Sequence, residues 1–180
     1  KEGDSLQLRV HPSLVPMEHI LASVDGAFNA IEVEGDLMGR VLFHGMGAGK
    51  EPTTSAVIGD IIEVAKRLNL GISPVPIAVS ETCINISPMA DLVSRYYLRL
   101  NVADRAGVLA RIAQVLGDQG ISIASVIQKD SDPESQSADL VVTTHPARED
   151  AVQESLRRMV SLNMVRKVGN VMRMEEWSAN

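Results

Sequence analysis

Apolar and polar positions alternate from Tyr96 to Val102, and the apolar positions then recur with the 3.6-residue period of a helix. The alternating apolar residues are Tyr96, Leu98, Leu100 and Val102, as a half-buried strand requires. Residues 108–116 place their apolar side chains on one helical face. Alternation returns over residues 121–127. This stretch therefore predicts a strand–helix–strand unit, whose crossover is normally right-handed within one sheet.

The remainder of the second half repeats this arrangement. A polar turn (DSDPESQS) follows Lys129. A strand over 138–144, a helix over 147–162 opened by Pro146, and a last strand over 165–174 come next. The order βαββαβ predicts one antiparallel sheet with both helices on one face.

The first half has a different pattern. Leu6, Leu8 and Val10 alternate and predict a strand that Pro12 and Pro16 stop. The pattern further predicts a short helix over 17–24, strands over 27–34 and 38–44, and a helix over 53–68. Gly35-Asp36 suits a tight turn between the two strands, and Pro52 suits a first helical turn. Residues 69–94 carry three prolines without periodicity and predict a connector.

These patterns predict an α+β fold, in which an antiparallel hairpin and a long helix precede a βαββαβ unit. The predicted boundaries are 1–68, 69–94, 95–176 and a tail over 177–180. A chain of 180 residues has room for one or two such domains.

Composition narrows the function classes. No apolar run approaches 18 residues, so no membrane span is expected, and the first residues lack the apolar core of a signal peptide. A single cysteine, Cys83, excludes an intrachain disulfide and fits the cytoplasm. The net charge of −6 lies entirely in residues 1–94, because residues 95–180 hold equal numbers of acidic and basic side chains. Neither half has the basic excess of a nucleic-acid binder.

The turn from Asp104 to Gly107 is the first candidate site. A short carboxylate at Asp104 can accept a hydrogen bond from the free amides of the following helix. Gly107 removes the side chain that would block a close approach, so a small zwitterion's carboxylate could lie against these amides. The alternative is a turn glycine whose neighbouring amides bind only water.

The segment HGMGAGKE, His44 to Glu51, is the second candidate site. It lacks the spacing of a Walker A loop, since only three residues separate Gly45 from Gly49 and Glu51 follows Lys50. Its G-x-G-x-G spacing also differs from the Rossmann fingerprint. A strand that ends in glycines before a helix still favours a nearby anion. A tight strand–helix corner without a ligand explains the same residues.

No catalytic or metal-binding set is evident. The four histidines, His11, His19, His44 and His145, have no metal-ligand spacing, so no metal is expected. Acidic residues gather around the hairpin, where a solvated acidic edge explains them better than a carboxylate site does. They are Asp25, Glu32, Glu34 and Asp36.

Two resemblances add to this interpretation. The stretch DRAGVLARIAQVLGDQGISIASV resembles the ACT domain, a small-molecule sensing module, although Ala106 stands where many such domains have proline. The resemblance implies side-by-side pairing into a homodimer or higher oligomer. It also implies an effector site at Asp104, the backbone of Gly107 and Val108, and Ser122 and Gln128 on the neighbouring strand.

The stretch FNAIEVEGDLMGRVLFHGMGAGKEPTTSAVIGDIIEVAKRL, residues 28–68, resembles the end of the catalytic region of homoserine dehydrogenase. That family reduces aspartate semialdehyde to homoserine with NAD(P)H, on the path to threonine, methionine and isoleucine. The resemblance implies that Gly49, together with Gly47 and Ala48, approaches the nicotinamide cofactor. Residues 1–68 would then belong to the catalytic region, and residues 95–176 would be the ACT regulatory domain.

The resemblance also implies that the catalytic residues lie upstream of Lys1, in a Gly-rich nucleotide fold and a D-x-G-x-D-x-x-x-K segment. The chain is therefore expected to be an inactive C-terminal fragment that binds no cofactor tightly. Threonine is the expected effector by analogy with the pathway. Two other functions stay open: a free-standing amino-acid-binding regulator, and a nucleotide-binding fragment that uses Gly45–Lys50. The sequence does not distinguish NAD from NADP.

Overall fold

The computed structural model describes residues 5–72, 85–132 and 135–175. Two units are present: the sheet unit, formed by Lys1–Pro16 with Ile84–Asn180, and the hairpin–helix unit, Met17–Cys83. Much of the predicted connector, residues 73–84, and the predicted tail lie outside the described residues. Within the described part, no helix is both long and apolar enough to cross a membrane.

The sheet unit has the predicted βαββαβ order with additions at its margins. Its main elements are β6 (Val93–Ala103), α2 (Val108–Asp118), β7 (Ile123–Asp132), β8 (Ser137–Thr144), α3 (Glu149–Val160) and β10 (Val165–Met174). The antiparallel order is β10-β6-β8-β7. The predicted last strand has the observed bounds. The predicted second helix was too long, because Ala147–Arg148 form a short strand, β9, against β6.

One face of this sheet carries the core. Alternate residues of β6 are almost fully buried and pack with the apolar faces of α2 and α3. The cluster includes Tyr96, Leu98, Leu100, Val102, Ile112, Leu116, Leu140, Val142, Val152 and Met159. Both helices therefore cover the same face, as the periodicity predicted.

The first residues of the chain also belong to the sheet unit. The predicted strand through Leu8 and Val10 is wrong, since both are exposed outside any strand. Instead β1 (Ser5–Leu6) pairs in parallel with β5 (Asn85–Ile86), and β2 (Ser13–Leu14) pairs in parallel with the end of β10. Two-residue strands have no readable period, so their partners determine them.

The hairpin–helix unit contains the predicted hairpin and long helix. The elements are β3 (Phe28–Gly35), β4 (Gly39–Met46) and α1 (Lys50–Asn69). The predicted short helix is only one 3₁₀ turn, Ile20–Ser23. The predicted Gly35-Asp36 turn is also wrong: three residues separate the paired Gly35 and Gly39, and Gly39 has the left-handed φ of 67° that such loops require.

Candidate functional site

A cavity of about 310 Å³ opens at the N-terminus of α2. Its walls come from the end of β6, the following turn, the first turn of α2 and the facing parts of β7 and β8. The lining residues are Val102, Ala103, Asp104, Arg105, Ala106, Gly107, Val108, Leu109, Gln128, Ala138 and Leu140. Four predicted effector residues are therefore brought together: Asp104, Gly107, Val108 and Gln128.

Asp104 does not cap the helix as the sequence predicted. Within the described residues, no side chain makes a capping hydrogen bond at the N-terminus of α2. The Oδ1 atom of Asp104 instead accepts a hydrogen bond from Nε2 of Gln128 at 3.3 Å. The backbone amide of Asp104 donates to the carbonyl of Gln136 at 3.0 Å. The carboxylate is thus held at the cavity wall by β7 and not by the helix amides.

Gly107 is the N-terminal cap of α2, with a left-handed φ of 89°. A side chain would meet no neighbouring atom there, so the backbone conformation and not crowding favours glycine. The first intrahelical bond runs from Arg111 to the Gly107 carbonyl. Amides ahead of that bond have no acceptor within the helix, and they carry the partial positive charge of its dipole. The cavity therefore combines amide donors with one carboxylate.

Ser122 lies elsewhere. It follows α2 at the opposite end of the helix from Gly107, and its carbonyl accepts a hydrogen bond from the amide of His145 at 2.9 Å. On β7 the neighbouring Ile123 pairs with Thr144, whereas Gln128 pairs with Leu140. Five residues of strand, about 16 Å at the usual rise, separate Ile123 from Gln128. Ser122 is consequently not part of this cavity, because it follows the end of α2 that is distant from Asp104. Its role in effector binding stays a prediction.

The glycine segment forms the corner between β4 and α1. Gly49 is the N-terminal cap of α1 and has a φ of 137°, which favours glycine. The amide of Gly47 donates to the carbonyl of Ala27 at 3.2 Å, and that of Thr53 donates to the carbonyl of Gly49 at 3.2 Å. The corner therefore exposes bare backbone directly before a helix.

The two helix N-termini differ in what they offer an anion. In α1, Pro52 has no N–H, and Glu51 already places a negative charge in the first turn. The first turn of α2 has no acidic residue and lies against a cavity. The α1 corner is thus suited to close approach of backbone to a ligand, and the α2 turn is better suited to holding a carboxylate.

The acidic residues of the hairpin are not all solvated. Only a tenth of the Glu32 side chain is exposed. Its carboxylate lies 3.3 Å from Nε2 of His19 and 3.4 Å from Nε of Arg40. Glu32 is therefore paired within its own unit, and the structure does not leave it available for a carboxylate site built on the hairpin acids.

Sequence reasoning missed the buried ionic cluster around Glu149, the first residue of α3. Its Oε2 atom accepts hydrogen bonds from the Tyr96 hydroxyl at 2.8 Å and from Nη2 of Arg173 at 2.6 Å, and Gln153 donates to Oε1. Burial would raise the pKa of Glu149, but the hydrogen bonds from Gln153, Tyr96 and Arg173 outweigh it and lower that pKa. Burial and the Glu149 carboxylate raise the pKa of Tyr96. Tyr96, Glu149 and Arg173 are far apart in the chain, and no spacing signals the cluster.

Among the described residues, no group of three or more histidine, cysteine or acidic side chains is arranged to hold a metal ion.

Comparison with known proteins gives matches over both units. The family model "Homoserine dehydrogenase" matches residues 2–62, and the model "ACT domain" matches residues 96–161. The first match includes β1 and β2, which pair with strands of the sheet unit. The segment that matches the homoserine dehydrogenase model therefore adds β2 to the same sheet as the strands of the ACT domain.

Homoserine dehydrogenases from several bacteria are similar over almost the whole chain. The Mycobacterium tuberculosis protein is 41% identical over 170 residues, covering 93% of this chain and 38% of the relative. The Neisseria gonorrhoeae protein is 35% identical over 184 residues, covering 97% of this chain and 41% of the relative. The chain therefore spans about two fifths of the length of the curated relatives it matches.

Solved structures agree with these relatives. The crystal structure of a homoserine dehydrogenase from Thiobacillus denitrificans matches with a TM-score of 0.80 and 35% identity, over 97% of this chain and 40% of that one. The Staphylococcus aureus homoserine dehydrogenase at pH 7.5 matches with a TM-score of 0.52 and 25% identity, over 92% of this chain and 37% of that one. Sequence and fold together show that this chain corresponds to a fragment of a homoserine dehydrogenase that includes an ACT domain.

Proposed function

We propose that the chain is the regulatory portion, with the end of the catalytic region, of an NAD(P)H-dependent homoserine dehydrogenase. The whole protein would reduce aspartate semialdehyde to homoserine in the cytoplasm. Its ACT domain would bind an amino-acid effector, threonine, in the cavity at the N-terminus of α2. The observation that carries the effector proposal is that this cavity combines Asp104, Gln128 and the first-turn amides of α2.

The cavity has the chemistry that an α-amino acid requires. The Asp104 carboxylate, oriented by Gln128, would accept the effector's ammonium group. The amides after Gly107 would hold its carboxylate. Apolar wall residues, Val102, Ala138 and Leu140, would contact a small side chain such as that of threonine. The volume of about 310 Å³ accommodates a small amino acid with water.

A second copy of the chain would complete this site. β7 is the outer strand of the sheet, and it carries Gln128 beside the half-exposed Ile127. An outer strand has unpaired backbone groups that a second sheet can use. Pairing along β7 would bring the partner next to Gln128 and cover the open side of the cavity. Effector binding and assembly are therefore expected to be linked.

The catalytic part of the proposal concerns the hairpin–helix unit. The backbone at Gly47, Ala48 and Gly49 would approach the nicotinamide end of NAD(P)H. One long face of α1 exposes apolar side chains that a larger protein would cover: Val57, Ile58, Ile61, Ile62 and Leu68 are each between 48% and 71% exposed. The 180-residue chain is expected to show no semialdehyde reduction. Measured turnover by the purified chain would contradict this expectation.

Calorimetry with a pair of glycine variants tests the effector site. Gly107 and Gly120 stand at opposite ends of α2, both have a left-handed φ, and both have open space where a side chain would stand. Valine strains the backbone at either position, but only Gly107→Val places a side chain at the cavity. Threonine affinity should fall at least about tenfold in Gly107→Val and change less than about twofold in Gly120→Val, since one blocked carboxylate contact costs over about 1.4 kcal/mol.

Equal loss in both variants would mean that Gly107 acts only through folding. Absence of binding by threonine, isoleucine, methionine and lysine to a dimeric wild-type sample would reject the effector proposal itself.

A further inference from the structure

Beside the glycine corner, one face of the hairpin carries few side chains of its own. In the β3–β4 register, Asn29 lies opposite Gly45, and Gly47 is the next residue on the same face. Neither glycine has a side chain to cover the strand. Asn29 is therefore the side chain that stands over this strip of backbone, whereas Phe28 points to the other face and stacks on His44 with ring centroids 5.0 Å apart.

The Asn29 carboxamide occupies the space that a side chain at Gly47 would need. A Cβ atom at position 47 would overlap Nδ2 of Asn29 and would lie 2.8 Å from its Cγ atom. By contrast, a Cβ atom at position 45 would meet no atom within 4 Å. Gly47 is thus glycine for a steric reason that Gly45 lacks. Any larger residue at position 47 must push the Asn29 side chain away.

We propose that Asn29 is a positioning residue for the glycine corner and, through it, for the dinucleotide; the second part rests on the proposed function. Two contacts define where the corner begins: the Gly47 amide bonds to the carbonyl of Ala27, and the Asn29 carboxamide packs on the Cα of Gly47. Gly49 follows two residues later and is the N-terminal cap of α1. A shift at Gly47 therefore moves the backbone that would face the nicotinamide.

Asn29 and Gly47 should behave as one unit in a double-mutant cycle. Asn29→Ala removes the packing carboxamide, and Gly47→Ala displaces it. Both changes abolish the same contact. The double variant should therefore lose no more free energy of unfolding than the less stable of the two single variants. In the 180-residue chain, the amide of residue 47, which donates to the carbonyl of Ala27, should exchange with solvent roughly tenfold faster in each variant.

Two controls separate positioning from general damage. Asn29→Asp keeps the shape of the side chain and should hold the exchange rates within about twofold of wild type. Ile31→Ala alters the next residue on the same strand face, which is 65% exposed, and should leave the corner unchanged. The inference would be overturned if Asn29→Ala and Gly47→Ala had additive effects on the free energy of unfolding, or if amide exchange at residue 47 were unchanged in both. Either result would leave the proposed function intact.

The link to the dinucleotide is tested in the full-length parent enzyme. In Asn29→Ala, the KM for the cofactor that supports turnover, NADH or NADPH, should rise roughly tenfold, while the KM for aspartate semialdehyde should change less than about twofold. A structural collapse would instead lower kcat and affect both substrates. Faster exchange of the residue 47 amide without any change in the cofactor KM would overturn the dinucleotide role of this corner, and with it that part of the proposed function.

Discussion

The two units of this chain bury their apolar residues to very different extents. The sheet unit places residues such as Leu100, Ile112 and Val142 at zero exposure between one sheet face and two helices. None of the described residues 17–72 in the hairpin–helix unit is fully buried, although α1 also has an apolar face. An amphipathic pattern thus predicts a helix in both units, but only a neighbouring layer turns that pattern into a core.

The largest expected contrast comes from truncating one apolar residue in each unit. Leu100→Ala should lower the free energy of unfolding by about 2–5 kcal/mol, because it leaves a cavity in the core. Ile61→Ala should change it by less than about 0.5 kcal/mol, since Ile61 is 62% exposed and alanine favours helix. Urea unfolding followed by circular dichroism measures both. Similar losses would mean that α1 is covered in solution, for instance by self-association.

The next contrast concerns the buried carboxylate of the sheet unit. Glu149→Gln leaves the Arg173 guanidinium without its charged partner and should cost roughly 2–4 kcal/mol at pH 7. The folded pKa of Glu149 lies below its usual 4.5, so its stabilisation is fully present above that pH and is lost as pH falls through the lowered value. The difference in the free energy of unfolding between wild type and Glu149→Gln should therefore become smaller in acid. Urea midpoints at several pH values check this, and a gap that stays constant in acid would contradict it.

The smallest contrast uses a glycine from each unit. Gly107→Ala forces alanine into a left-handed φ and should lower stability by about 1 kcal/mol. Gly59→Ala lies inside α1 with open space around the new methyl group, and it should raise stability by about 0.5–1 kcal/mol. Thermal unfolding of the two variants beside wild type measures the difference. The same sign for both would show that helix position and not φ governs these glycines.

Prediction from sequence succeeded where the period was long and the burial one-sided. The last strand, Val165–Met174, was predicted with its observed bounds, and α1 was predicted within three residues at its start. It failed for β1 and β2, whose two residues each gain strand geometry only from β5 and β10. It failed also for the hairpin turn, because the glycine that needs a positive φ is Gly39.

In the candidate site too, residues close together in the chain were predicted and contacts between distant residues were not. Asp104, Gly107 and Val108 lie within five consecutive residues, so one turn predicts all three together. Gln128 reaches Asp104 only through the pairing of β7 with β8, whereas Ser122 is carried to the other end of that strand. The Glu149 cluster and the Asn29–Gly47 contact join distant or cross-strand residues, which no linear spacing marks.

By itself, the sequence determined the long helices and strands, their apolar faces and the two glycine-containing turns before α1 and α2, because periodicity and backbone preference are local properties. The tertiary structure decided which sites those corners become. The turn before α2 lies beside a cavity, where Gln128 of β7 holds the Asp104 carboxylate. The corner before α1 lies beside Asn29 of the adjacent hairpin strand. Contacts between residues far apart in the chain depend on register and strand order, and these follow from how the layers pack.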